Sequence, residues 1–520
     1  MPHLTRPLSL MLLLGFGCGT DKSDSGPPED PEDTGGLDTG EPDDVPDPRF
    51  DPLREVIESD LALSDAPGVS VAIYLDGAIV FAEGFGSAHP TEDVAVTPQT
   101  LFQIGSTTKM LTAVAMLQDV EDGVLGLDQT LAEAYPASEF RLNGEWNDQI
   151  VLPYLLTHEA GLIEAYADVP DSSDGALAEW LEEFYFQELW LMNPPGAFHN
   201  YSNLGYSIAG LLIEAFDGAP YPDLMKSRVF TPLGMDRTYQ RRSEAEADGD
   251  YALGVGYAFD SAGDATYGPV LMADVSDDAV ARPAGSGTWS TPSQMMSVAD
   301  FLLNGAPEVL DEALRVELTS PQVSMRDPLG VWNYGYGVMV GEGFYLGEDW
   351  YDTPMWAHNG LTYSYSSEFV LVPEHGFAIS ILSSSYGTNF GNTISAAIDT
   401  VLDLGEPGTA PEASVDPARL EDHVGTYEDV YNVGEMVITE SGSTLYIEMP
   451  DLESYGYSVT SELYTYTDTI FYVQINGDWY DLSFVGEPGS PSEYVVNRAF
   501  VGTRTEASDP ISPGDTGESD

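Results

Sequence analysis

The chain has 520 residues, 87 acidic against 17 basic, for a formal net charge of -70. A surface of that sign repels nucleic-acid phosphates and anionic membranes, so a nucleic-acid-binding role is excluded. Hydrophobic residues make up 42%, enough for sizeable cores, and the length predicts two domains plus tails.

Residues 1–18 read as a signal peptide. Arg6 supplies its charge, and Leu8 to Leu14 with Phe16 form an apolar core too short to span a bilayer. Cys18 follows directly and is the only cysteine, which rules out disulfides within the chain. A lone cysteine at this place resembles the lipidation site of a bacterial lipoprotein, although Gly15 stands three positions before it where leucine is usual. The other reading is cleavage after Gly15-Phe16-Gly17. Both mean export, to the periplasm or outer surface of a bacterium or as a secreted protein. A membrane is then a partner only through an N-terminal lipid anchor.

Residues 19–48 are Asp, Glu, Pro, Gly, Ser and Thr with almost nothing to bury, and eleven of them are acidic. That composition predicts a disordered, self-repelling linker. Its Asp33-Thr34-Gly35 and Asp38-Thr39-Gly40 triplets lack the apolar flanks that an aspartic-protease strand needs.

Residues 49–405 read as one α/β (α+β) domain. A first helix leads to an apolar strand over Val69 to Tyr74, and Asp76-Gly77 turns the chain into Ile79-Val80-Phe81. An apolar helix runs from Ser106 to about Val120. Strands return at Met355 to Asn359, Ser367 to Val372 and Phe377 to Leu382, before a helix from about Thr393 to Leu404. The order predicts an antiparallel sheet flanked by helices, with a helical subdomain inserted between its halves. Residues 416–505 alternate in period two, and Asn476-Gly477 joins two strong strands, so a small antiparallel β-barrel is expected. Residues 506–520 form an acidic tail.

Ser106-Thr107-Thr108-Lys109 opens the helix, and Lys109 is one of three lysines in the chain. The i, i+3 spacing places both side chains on one face. A serine at a helix N-terminus sits where developing alkoxide is favoured, and a lysine one turn on can shuttle its proton. Ser-x-x-Lys also arises by chance from a capping serine and a solvated lysine. Two further elements, in order, decide against that: Tyr201-Ser202-Asn203 within Pro195 to Tyr206, and His358-Asn359-Gly360. The histidines show no metal-like spacing, so no metal is expected, and no cofactor.

With those three motifs, the sequence resembles the serine β-lactamase and penicillin-binding-protein-like hydrolases, in the branch of class C enzymes, DD-peptidases and related esterases. Leu155 to Leu162 and Phe230 to Met235 add family-like surroundings, and the C-terminal region resembles the lipocalin-like module that often follows this domain. The resemblance implies that Ser106 attacks an acyl carbon, with Lys109 and Tyr201 as proton-transfer partners. Tyr201, ordinarily titrating near 10, acts as base only if flanked by cations, for which Lys109 and His358 are the candidates. Asn203 orients substrate and Lys109. The oxyanion hole is expected at the backbone N–H of Ser106 and of Leu361, with Gly360 permitting close approach. His358 stands where many members carry lysine, a change that puts strong β-lactam turnover in doubt, and Tyr363 and Tyr365 are expected to crowd the acyl pocket. No acidic residue is identified as a deacylation base. The expected function is an exported serine hydrolase forming an acyl-enzyme at Ser106, with small-molecule or peptide substrates such as D-amino-acid peptides, peptidoglycan stems or small esters. A true β-lactamase and a non-catalytic sensor lipoprotein on the same fold are the alternatives.

Overall fold

The structure, a computed structural model, describes residues 47–142, 144–164, 171–259 and 265–505. The signal peptide, Cys18, most of the acidic linker and the acidic tail lie outside them. Among the described residues no helix is long and apolar enough to cross a membrane.

The first domain is built on a nine-stranded antiparallel sheet. Its strands lie in the order Glu92–Ala95, Ala78–His89, Gly68–Leu75, Phe377–Ser383, Ser366–Val372, Met355–Leu361, Met339–Gly341, Trp332–Tyr334 and Val323–Ser324. The N-terminal hairpin therefore pairs with strands some 300 residues later, as Val71 opposite Ile381. The central strands read as continuous apolar runs because both faces are covered. On one face Val69, Val71 and Ile73 pack with Phe50, with Leu53 and Ile57 of the helix Asp51–Leu63 that Phe50 precedes, and with Ile398 of the helix Gly391–Val401. On the other face Ala72 and Tyr74 join a larger core with the helices Thr108–Glu121, Asn203–Asp217 and Pro292–Asn304. The expected helical insertion is present, carried by short helices and two π-helical segments between the sheet's halves.

The second domain is a near-closed barrel of eight antiparallel strands, Gly425–Asp429 through Phe500–Arg504. Its core is Tyr427, Met436, Ile438, Leu445, Phe471, Val473, Leu482 and their neighbours. Asn476-Gly477 makes the expected hairpin between Ile470–Ile475 and Asp478–Val485, with Asn476 at φ 55° and Gly477 at φ 90°. The barrel docks on the first domain. Val496 and Val501 join the larger core, the Phe198 and Tyr494 ring centroids lie 5.2 Å apart and those of Trp190 and Tyr431 5.1 Å, and Asn200 Nδ2 donates to the Asn497 carbonyl at 3.3 Å.

Candidate active site

Ser106 lies just ahead of the α-helix that is expected to begin with it. Gly105–Thr107 form a 3₁₀ turn, and the α-helix proper runs Thr108–Glu121. Gly105, at φ +51°, lets the chain make that turn against the sheet. A Cβ there would meet the Leu361 nitrogen at 2.6 Å, and one on Gly360 would meet the Ile104 carbonyl oxygen at 2.0 Å. A Cβ on Gly285 would in turn meet the Ser106 nitrogen at 2.7 Å. Three glycines thus allow three backbone segments to converge around the serine, and they set Ser106 beside the segment Gly360-Leu361.

Lys109 is fully buried. Its Nζ lies 3.1 Å from Ser106 Oγ, 2.6 Å from Asn203 Oδ1 and 2.6 Å from the Ala284 carbonyl. The carbonyl can only accept. The Asn203 amide is fixed by Glu164, whose Oε1 accepts from Asn203 Nδ2 at 2.6 Å, so Oδ1 faces the lysine. Two Nζ hydrogens are therefore committed. The third direction points at Ser106, where an ammonium donates and a neutral amine offers its lone pair. Burial pushes Lys109 well below the usual lysine range; Glu164 opposes that shift and Arg498 adds to it. Glu164 also accepts from the Asn203 backbone N–H at 2.7 Å, at the start of the helix Asn203–Asp217.

Tyr201 closes the other side. Lys109 Nζ stands 4.9 Å from its ring centroid, and Ser106 is among the neighbours that favour its ionised form. Burial raises its phenol above the ordinary value, and the Arg498 charge is the largest influence pulling it down.

His358 differs from the expected charged flank. It is 1% exposed, and burial pushes it down to about 3, with the Lys109 charge acting in the same sense. Its Nδ1 donates to the Asn359 carbonyl at 2.6 Å, which leaves Nε2 to accept from the Tyr334 hydroxyl at 2.9 Å. This is a neutral imidazole with both nitrogens occupied. It supplies no cation to Tyr201, and an acidic limb near 6.5 is not its signature. His158, stacked 4.0 Å from the Tyr201 ring, is likewise driven well down by burial and neighbouring positive charge. Tyr365, expected to crowd the acyl pocket, is fully buried, and its hydroxyl donates to the Ala252 carbonyl at 2.8 Å.

The structure brings Ser106, Lys109, Tyr201, Asn203, His358, Gly360 and Leu361 into one cluster. It adds Glu164, Tyr334, the Ala284 carbonyl and, from the barrel, Arg498. Glu164 is the acidic residue at the site, but its oxygens are taken by Asn203 and Arg498. Among the described residues no group of His, Cys, Asp and Glu could hold a metal ion.

A family model described as Beta-lactamase matches residues 53–401. Unguisins hydrolase ungD' of Aspergillus campestris is 27% identical over 424 residues, 78% of this chain and 73% of that protein. Penicillin-binding protein 4 of Amycolatopsis lactamdurans is 26% identical over 394 residues, 73% of this chain and 96% of that one. Among solved structures, a D-amino acid amidase from Ochrobactrum anthropi complexed with L-phenylalanine superposes with TM-score 0.56 at 23% identity, over 67% of this chain and 98% of its own.

Proposed function

The chain belongs to the beta-lactamase family of serine hydrolases, and from that premise we propose that it hydrolyses amide or ester bonds through an acyl-enzyme at Ser106. The observation that carries this reading is the single direction left open on a buried, otherwise saturated Lys109, which points at Ser106 Oγ 3.1 Å away. Ser106 Oγ attacks the carbonyl carbon and its proton passes to the Lys109–Tyr201 pair. The oxyanion rests on the N–H groups of Ser106 and Leu361, each worth about 3 kcal/mol of barrier. Collapse expels the amine or alcohol, which takes the proton back from the pair. Water then hydrolyses the ester on Ser106 by the same steps in reverse order.

Support for a substrate class comes from the relatives, whose names speak of unguisins, penicillin and D-amino acids. We assign this chain to small peptides and amides containing D-residues, with simple esters as surrogates. A strand lysine that would hold a β-lactam carboxylate is replaced by neutral His358, which favours this class over β-lactams. The test is a panel of D-alanyl peptides, D-amino-acid amides, p-nitrophenyl esters and a chromogenic cephalosporin, run against wild type and Ser106→Ala. Turnover of the D-residue substrates that vanishes in the variant is expected; equal turnover in both would overturn the assignment.

Export with lipid attachment at Cys18 is part of the same proposal. Its support is the composition of residues 1–48. Wild type should partition into detergent and Cys18→Ser should not; an unlipidated mature N-terminus in wild type would defeat the anchor.

A further inference from the structure

The barrel reaches the catalytic cluster through one side chain. Arg498 lies between the strands Tyr494–Asn497 and Phe500–Arg504. Its guanidinium carbon stands 4.5 Å over the Tyr201 ring, and Nη2 donates to Glu164 Oε1 at 2.8 Å. A continuous chain therefore runs from the barrel to the serine: Arg498 to Glu164 at 2.8 Å, Glu164 to Asn203 at 2.6 Å, Asn203 to Lys109 at 2.6 Å, Lys109 to Ser106 at 3.1 Å.

The groups facing Tyr201 come from several elements: Lys109, His158, Glu164, Tyr206, Tyr334, His358 and Arg498. His158 and His358 are held neutral by burial, Tyr206 and Tyr334 are phenols raised by burial, and Lys109 is driven toward the amine. Glu164 is an anion. Arg498 brings the set its one guanidinium, set over the Tyr201 ring.

We propose that Arg498 of the C-terminal barrel is a positioning residue for the hydrolase, keeping Tyr201 able to accept a proton and, through Glu164 and Asn203, keeping Lys109 on Ser106. This gives the barrel a part in catalysis, and it rests on the acyl-enzyme reading. A guanidinium over the ring stabilises phenolate against phenol, and it also favours the neutral form of Lys109. Both effects ready the pair to take the serine proton near neutral pH.

The test uses the full chain with Arg498→Gln and Arg498→Lys, on a neutral p-nitrophenyl ester that carries no carboxylate. Arg498→Gln should lower kcat tenfold or more with KM within about twofold, and should move the acidic limb of kcat/KM to higher pH, since both Tyr201 and Lys109 then lose their proton less readily. Arg498→Lys, which keeps the charge and loses the fork, should recover part of kcat and most of the limb. Should Arg498→Gln fail to fold, Glu164→Gln cuts the same ion pair in a near-isosteric way and should also lower kcat. An unmoved limb, or a loss confined to KM for substrates bearing a free carboxylate, would overturn the proposal; the latter would make Arg498 an anion subsite. Fluorophosphonate labelling of wild type separates the two readings. No label on Ser106 defeats the acyl-enzyme itself, whereas normal labelling with indifferent Arg498 variants defeats this inference alone.

Discussion

Two buried polar clusters, one in each domain, differ in whether they are closed. In the barrel, His423 is 0% exposed. Its Nδ1 shares a hydrogen bond of 2.7 Å with Ser492, its Nε2 one of 2.6 Å with the Asp468 carbonyl, and its ring stacks 4.4 Å from Phe484. Every valence is used inside the fold. In the hydrolase domain, Lys109 is equally buried, but one of its three directions ends on Ser106, a side chain that is partly exposed, and Nε2 of both His158 and His199 has no hydrogen-bond partner among the described residues. A closed network fixes a fold, while an open one leaves a proton somewhere to go.

Breaking the open cluster should cost rate. Lys109→Ala and Tyr201→Phe should each lower kcat about 10²-fold or more, as lost acid–base catalysis does. The double variant should be little slower than either single one, since both remove the same proton transfer. Steady-state kinetics on one ester checks this, and fully additive losses would show two independent functions. Breaking the closed cluster should cost stability instead. His423→Ala strands Ser492 and the Asp468 carbonyl, so unfolding by urea should show a loss of about 1–3 kcal/mol with kcat within twofold of wild type. A His423 variant that kept its stability and lost its rate would erase the contrast between the clusters.

A pH measurement sharpens the same comparison. His358 is neutral in the folded protein down to about 3, whereas the unfolded chain takes up a proton near 6.5. Its contribution is therefore complete above 6.5 and is lost as pH falls toward 3, at about 1.4 kcal/mol per pH unit. His358→Gln should flatten the decline in stability between pH 6.5 and 5 relative to wild type; parallel curves would mean that His358 is charged in the fold. Tyr334→Phe tests the other partner of that imidazole. It leaves His358 Nε2 without its donor, so it should lower stability by about 1–3 kcal/mol and change kcat less than Tyr201→Phe does.

Much of this site is legible in the sequence because its members announce themselves locally. Ser106 and Lys109 share a helix turn, Tyr201 and Asn203 sit two apart, and His358 to Leu361 lie on one strand edge. The sheet was equally readable: the runs at 69–74, 367–372 and 377–382 fall inside Gly68–Leu75, Ser366–Val372 and Phe377–Ser383. Glu164 was not readable, since one acid among 87 carries no signal. Its role comes from a contact with Asn203 across 39 residues. Arg498 is a contact across 334 residues, and nothing in its local sequence announces it. The charge state of His358 could not be read either, because it depends on burial under Tyr334 and Tyr201 and not on its neighbours in sequence.

The central claim is covalent chemistry at Ser106 driven by Lys109. Peptide mass spectrometry of the full chain, after reaction with a fluorophosphonate, tests it directly. The expected result is a single stoichiometric adduct on Ser106 in wild type that forms at least 10²-fold more slowly in Lys109→Ala. An adduct on any other residue, or equal labelling rates in the two proteins, would contradict it.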